Sequence, residues 1–224
     1  MNNMEAGVDE AGRGPVIGPM VVACVVLDSR STNFLRRIVR DSKLMAPIDR
    51  RRAYSLILRV AREVKIRVVE PWEIDEAVEG RGIRNLNYLE ALIAASLINS
   101  LELRIEKVYL DSPDPVPERY AEIVKGYLSE DLRGRVEVVA ANNAEHLYVH
   151  VAAASIVAKV RRDELVAELR RVYGDFGSGY PSDPKTRAFL VRLLKEGGRL
   201  PPIVRRSWQT LRKLREEVAG ATRE

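Results

Sequence analysis

Gly7-Val8-Asp9-Glu10-Ala11-Gly12-Arg13-Gly14-Pro15 places two adjacent acids at the end of an apolar-leaning segment, then breaks the chain with two glycines and a proline. Residues 5–9 read as a strand and the following glycines and proline as the turn that stops it. The uninterrupted run Met20–Leu27 is apolar and rich in β-branched residues, as expected of a buried second strand. Further strands are predicted at Ile66–Val69, Lys107–Leu110 and Arg135–Ala140. Helical spacing of apolar residues predicts helices at Arg50–Val64, Asn85–Leu103, Pro117–Tyr127, Val149–Tyr173, Pro184–Lys195 and Ser207–Val218. Strands come early and alternate with helices, and the last third is helical. That order predicts an α/β fold, a mixed sheet flanked by helices, with a helical C-terminal portion. Gly174–Pro184 is the segment richest in Gly, Ser and Pro, so the expected division is 1–175 and 176–224.

Composition narrows the chemistry. The chain has 224 residues and a formal net charge of +5, which permits a polyanionic partner. Its only cysteine, Cys24, lies in an apolar run and reads as a small buried hydrophobe. With His146 and His150 the only histidines, no zinc-type cluster is possible. No secretory leader and no window of about 20 apolar residues is present, so a cytoplasmic protein is expected.

Asp9 and Glu10 end one strand, and Asp111 ends another, where Ser112-Pro113-Asp114-Pro115 stops it abruptly. The C-terminal edge of such a sheet is where ligands bind. Neighbouring carboxylates raise one another's pKa unless a cation neutralises them. An all-oxygen donor set points to a hard ion, Mg²⁺ or Mn²⁺. A lone strand-end Asp is explained well enough by turn capping; two on separate strands beside a Gly-rich turn favour a metal site. Adjacent strand residues face opposite ways, so either the backbone twists at Asp9-Glu10 or one acid acts from behind the other.

Five blocks in order carry a resemblance to type 2 ribonuclease H (ribonuclease HII) of the archaeal kind. They are Asp9–Pro15, Asp41-Ser42-Lys43, Val108–Asp111, Ala152–Asp163 and Tyr173–Pro184, with Pro202–Trp208 similar to the approach to the family's C-terminal helices. The resemblance spans nearly the whole chain. It implies a ribonuclease H-like fold and hydrolysis of the RNA strand of RNA/DNA hybrids, with cutting at single ribonucleotides embedded in DNA. It implies metal ligands at Asp9, Glu10 and Asp111, and probes of ribose 2′-OH groups at Gly12, Arg13 and Gly14 in the minor groove. Tyr180 would pack on a sugar at the RNA-to-DNA junction, and Lys43 would contact the phosphate backbone. The family's fourth acid is usually Asp; here Glu145 takes its place in Asn142-Asn143-Ala144-Glu145-His146. Glu145 is expected to hold metal from a slightly retracted backbone or through water; a surface acid with His146 lining the site is the competing reading. Two ions are expected in the reacting complex, giving 5′-phosphate and 3′-hydroxyl ends.

The C-terminal region supplies Arg205, Arg206, Trp208, Arg212, Lys213 and Arg215. Arg205 and Arg206 are expected on the phosphate-binding side; solvated helix charge, balanced by Glu216 and Glu217, is the competing explanation. A type 3 ribonuclease H is disfavoured because Met1–Glu5 leaves no room for that family's N-terminal domain and the Gly-Arg-Gly turn is absent there. A non-catalytic nucleic-acid-binding module is disfavoured by the intact acids. A monomer is expected, with no sliding-clamp motif in Ala219–Glu224.

Overall fold

The computed structural model describes residues 3–39 and 45–221, so the expected phosphate contact Lys43 lies outside the described residues. The apolar run following the first turn becomes β2 (Met20–Asp28), buried along its whole length. It pairs antiparallel with β1 (Met4–Ala11) in unbroken register, from Met4 opposite Asp28 to Ala11 opposite Val21. β4 (Lys107–Asp111) runs parallel to β1, and β5 (Glu137–Ala141) runs parallel to β4. With β3 (Glu63–Val69) beside β2, the order is β3-β2-β1-β4-β5. The mixed sheet of an α/β fold is as the sequence predicted. A parallel neighbour needs a long crossover, and between β1 and β4 the chain makes one through helices.

The longer helices follow the apolar spacing: α2 (Pro47–Val60), α4 (Leu86–Asn99), α5 (Pro117–Tyr127), α7 (Val149–Tyr173), α8 (Pro184–Lys195) and α9 (Gln209–Ala221). Three short helices were not legible from periodicity, because they are set by their caps. α1 (Ser29–Leu35) follows β2 directly, with the Asp28 carboxylate accepting the Ser31 N–H at 2.8 Å. α3 (Pro71–Val78) opens with Pro71 and a reciprocal capping box between Glu70 and Glu73. α6 (Glu130–Arg135) is capped by Ser129, and it occupies the start of the stretch predicted as the fifth strand.

The chain packs as two compact units interleaved in sequence. The first comprises residues up to Ala11, Val21–Val68 and Asn87–Arg161; the second comprises Gly12–Met20, Val69–Leu86 and the residues from Arg162 onward. In the first unit the sheet and the start of α7 bury the apolar core, including Cys24, whose thiol burial pushes up to about 12. The second has its own core, with Ile17, Phe176, Leu190, Leu211 and Leu214 buried together.

Gly7 is where α7 meets β1. A Cβ there would stand 2.1 Å from the His150 carbonyl carbon, so only glycine lets the helix backbone lie on the strand. Gly7→Ala is expected to cost about 3 kcal/mol or more, because backbone rather than a flexible side chain must yield. A fall in Tm of about 6 °C or more would register it.

Asp28 gives a pH-dependent term. Hydrogen bonds from Ser31 and the Arg62 guanidinium lower its carboxyl to about 2. Its contribution is therefore full above the ordinary carboxylate range and is lost as pH falls toward 2. Asp28→Asn should flatten the acid limb of a stability-against-pH curve below pH ~4, with little change in its shape near neutrality.

Candidate active site

In the register of β1 and β4, Val8 lies opposite Leu110. One step further along are Asp9 and Asp111, on neighbouring parallel strands about 5 Å apart and on the same sheet face. Asp9 is buried. Burial pushes its carboxyl well above the usual range, and the negative charges of Glu10 and Asp111 push it further. A hydrogen bond from Ser155 and the positive charge of Lys159, both on α7, pull the other way. Lys159 donates to the Ser155 hydroxyl oxygen at 2.7 Å. An ammonium only donates, so Ser155 keeps its own hydrogen for Asp9. β1 runs through both acids without a register break, so Glu10 points to the opposite face by strand alternation. Its N–H nonetheless closes on Asp9 Oδ1 at 2.7 Å.

The fourth acid arrives through a strained turn. Asn143 has φ 53, the one positive φ on a non-glycine among the described residues. It turns the chain out of β5 into a single 3₁₀ turn, Ala144–His146. Asp111 Oδ1 accepts the Ala144 N–H at 2.6 Å. The Asn142 amide donates to the Ser112 and Asp114 carbonyls at 3.1 and 2.8 Å, fixing the end of β5 beside the turn after β4. Glu145 follows at once and is buried, whereas His146 is half exposed. Among the described residues no three acidic, histidine or cysteine side chains stand gathered as a metal-holding group. The donor chemistry still fits a hard divalent cation. The acids are oxygen donors, and Asp9 carries a like-charge burden that such an ion relieves.

Beside Glu145, a cavity of about 500 Å³ is lined by Arg36, Arg37, His146, Tyr148 and His150 among others. His150 is lowered to about 4, by burial first and then by the charge of Arg36. It is therefore neutral at physiological pH, although Glu5 lies 3.5 Å away.

The second unit contains the Gly-Arg-Gly turn. Gly12 has φ +89, and a Cβ there would meet the Arg162 side chain at 2.5 Å and the Pro19 carbonyl at 2.8 Å. Arg162 also lies over the Tyr180 ring, 5.2 Å from its centroid. Tyr180 is partly exposed, and its ring edge would stand 3.7 Å from a Cβ on Gly14. The loop bearing Tyr180 is held by Asp183, which accepts N–H groups from Ser178 at 2.6 Å and Lys185 at 2.9 Å. These bonds lower the Asp183 carboxyl to about 2.

The sequence comparisons with known proteins point to one family. The sequence profile described as Ribonuclease HII matches residues 6–211. A ribonuclease HII from Thermofilum pendens is 51% identical over 213 residues, covering 94% of this chain and 98% of that protein. The chain belongs to the ribonuclease HII family. It is therefore an enzyme, a nuclease of the ribonuclease H type. The crystal structure of ribonuclease H2 from Pyrococcus horikoshii matches with a TM-score of 0.86 at 42% identity, covering 96% of this chain and 99% of that one. The ribonuclease HII of a PCNA complex from Archaeoglobus fulgidus matches with a TM-score of 0.81 at 38% identity, covering 94% and 96%. A ribonuclease HIII crystallised with Mn²⁺ shares the fold, at a TM-score of 0.78 and 22% identity.

Within this ribonuclease HII chain, the structure brings Asp9, Glu10 and Asp111 into electrostatic range and ties Asp111 to the residue before Glu145. It brings Gly12, Gly14 and Tyr180 together in the second unit. Arg206 is exposed, with one guanidinium nitrogen on the Leu200 carbonyl at 3.2 Å. Arg205 is a correction. Expected on the phosphate-binding side, it is fully buried, and its guanidinium is spent on the carbonyls of Gly12, Arg13 and Gly18. Sequence reasoning missed Ser155, Lys159 and Arg162 as site residues. Their signal was present in the helical spacing of 155, 159 and 162, which puts them along one face of α7. Gly12→Ala should lower kcat/KM on a hybrid by about a hundredfold, since it displaces the turn. Steady-state kinetics with Tm measured alongside check it.

Proposed function

We propose that the chain is an endonuclease that hydrolyses the RNA strand of RNA/DNA hybrids and also cuts at single ribonucleotides embedded in duplex DNA. The observation carrying this reading is the crowding of Asp9 by Glu10 and Asp111 at adjoining strand ends, three residues before Gly12 in the chain. Asp9, Asp111 and Glu145, with Glu10 acting from behind Asp9, would hold two Mn²⁺ or Mg²⁺ ions, which would supply an activated water and neutralise charge on the phosphate as 5′-phosphate and 3′-hydroxyl ends form. Lys159 and Ser155 orient Asp9 and oppose the upward shift of its carboxyl. Gly12, Arg13 and Gly14 read the ribose through their backbone, because the two glycines let it approach a sugar closely. Tyr180, steadied by Arg162, packs on the sugar at the RNA-to-DNA junction. Lys43 and the exposed Arg206 serve the phosphate backbone. The expected surroundings are cytoplasmic, with the chain acting as a monomer.

The test is a DNA duplex carrying one ribonucleotide, incubated with Mn²⁺ and with Mg²⁺, with the cut mapped at nucleotide resolution. A single metal-dependent cut at the ribonucleotide is expected; cutting without regard to its position would refute the reading. Asp9→Asn should lower cleavage by about a thousandfold or more while hybrid affinity changes by less than about threefold. Full activity in that variant would remove Asp9 from the chemistry.

A further inference from the structure

The turn from Gly12 to Gly18 has most of its carbonyl groups taken by two side chains from residues 205–208. Arg205 Nε donates to the Gly18 carbonyl at 3.0 Å, one terminal nitrogen to Arg13 at 2.7 Å and the other to Gly12 at 2.6 Å. The Trp208 ring lies against that guanidinium, 4.9 Å away, and its indole N–H donates to the Gly14 carbonyl at 3.0 Å. The carbonyls of three successive residues, 12, 13 and 14, are thus all drawn to one side. The clamp is itself anchored. The Arg205 N–H reaches the Val16 carbonyl at 2.9 Å, and the Gly18 N–H reaches that of Ile203 at 2.8 Å. The buried Asp75 carboxylate accepts the N–H groups of Arg206 and Ser207 at 2.8 and 2.9 Å and the Ser207 hydroxyl at 2.6 Å.

This arrangement sets the polarity of the turn. No peptide bond among the described residues is cis. Across a trans peptide, the carbonyl of one residue and the N–H of the next point in opposite directions. Because Arg205 holds the Arg13 carbonyl, the N–H of Gly14 points away from the clamp, and Gly14 is exposed. The carbonyl of Gly14 is held by Trp208, and the next residue, Pro15, has no N–H to turn outward. Glycine peptides rotate easily, and these bonds oppose a flip that would show a carbonyl instead. Lysine could not replace the clamp, since a single ammonium lacks the planar fork that spans three carbonyls.

We propose that Arg205 and Trp208 are specificity-determining positioning residues, which lock the turn so that it faces the nucleic acid with the Gly14 N–H donor and never with a carbonyl. The acceptor it would meet is a sugar oxygen of the ribose, which deoxyribose lacks. The inference rests on the proposed ribose-reading role of the turn. Neither residue touches substrate; both act through the backbone of Gly12, Arg13 and Gly14.

The test compares wild type with Trp208→Phe, which keeps the ring against Arg205 but removes the bond to Gly14, and with Arg205→Lys, which keeps the charge but not the fork. Dissociation constants are measured by fluorescence anisotropy for an RNA/DNA hybrid and for a DNA duplex of the same sequence, and Tm is recorded for each protein. For Trp208→Phe the affinity for the hybrid should fall about tenfold, as one hydrogen bond's worth of order is lost. The affinity for DNA should stay within about twofold. Arg205→Lys should shift the same ratio further. If Arg205→Lys does not fold, Trp208→Phe decides alone. Equal losses on both duplexes, or an unchanged ratio, would overturn the clamp while leaving the function intact. A wild type that binds hybrid and DNA equally would instead overturn the ribose-reading role on which the clamp depends.

Discussion

Like charges forced together at two adjoining strand ends are the constraint on which the first unit depends. The parallel pairing of β1 and β4 brings Asp9 and Asp111 side by side, and Glu10 adds a third negative charge. Left alone, a buried carboxylate in that company takes up a proton, and a protonated acid is a poor ligand for a cation. The fold opposes this from two directions. Ser155 and Lys159 reach Asp9 from α7, and the Ala144 N–H reaches Asp111 from the 3₁₀ turn. Both supports require close backbone approach. Gly7 lets α7 lie directly on β1, and Asn143 accepts a left-handed conformation so that the turn doubles back beside Asp111. The strain at Asn143 is thus explained by what the turn delivers.

The second unit solves a different problem, that of holding a glycine-rich turn still. Glycine permits close approach, but it also brings conformational freedom. Here that freedom is removed by side chains acting on the backbone. Arg205 and Trp208 take its carbonyls, and Arg162 fills the space that a side chain at Gly12 would need. A buried guanidinium would be costly if unpaired, and the three carbonyls satisfy it. The charge of Arg205 therefore serves the protein's own backbone.

What was legible in the sequence follows from the range of the signals. Asp9, Glu10 and the glycines lie within six residues, so their pattern survives as a motif, and Asp111 is marked by the prolines that end its strand. Helices with long apolar periodicity, such as α4 and α7, were visible for the same reason. The capped helices α1, α3 and α6 were not, because a few polar hydrogen bonds define them. Arg205 was misplaced because a sequence shows charge but not burial: beside Arg206 it looks like half of a basic patch, yet one of the pair is fully buried and the other exposed. Asp75 and the Lys159–Ser155 pair stayed silent because their partners lie about 130 and 150 residues away along the chain. The interleaving of the two units had no compositional mark, so the Gly- and Pro-rich stretch after Tyr173 stood in for a boundary.

In the proposed function, the crowd of negative charge around Asp9 serves a divalent cation. Thermal melting of wild type and Asp9→Asn, each with and without Mn²⁺ and in the absence of nucleic acid, tests this most directly. Relief of like-charge repulsion predicts that the metal-free variant melts above metal-free wild type, while Mn²⁺ stabilises wild type and leaves the variant unmoved. A variant that melts no higher than wild type without metal, yet gains the full Mn²⁺ increment, would contradict it.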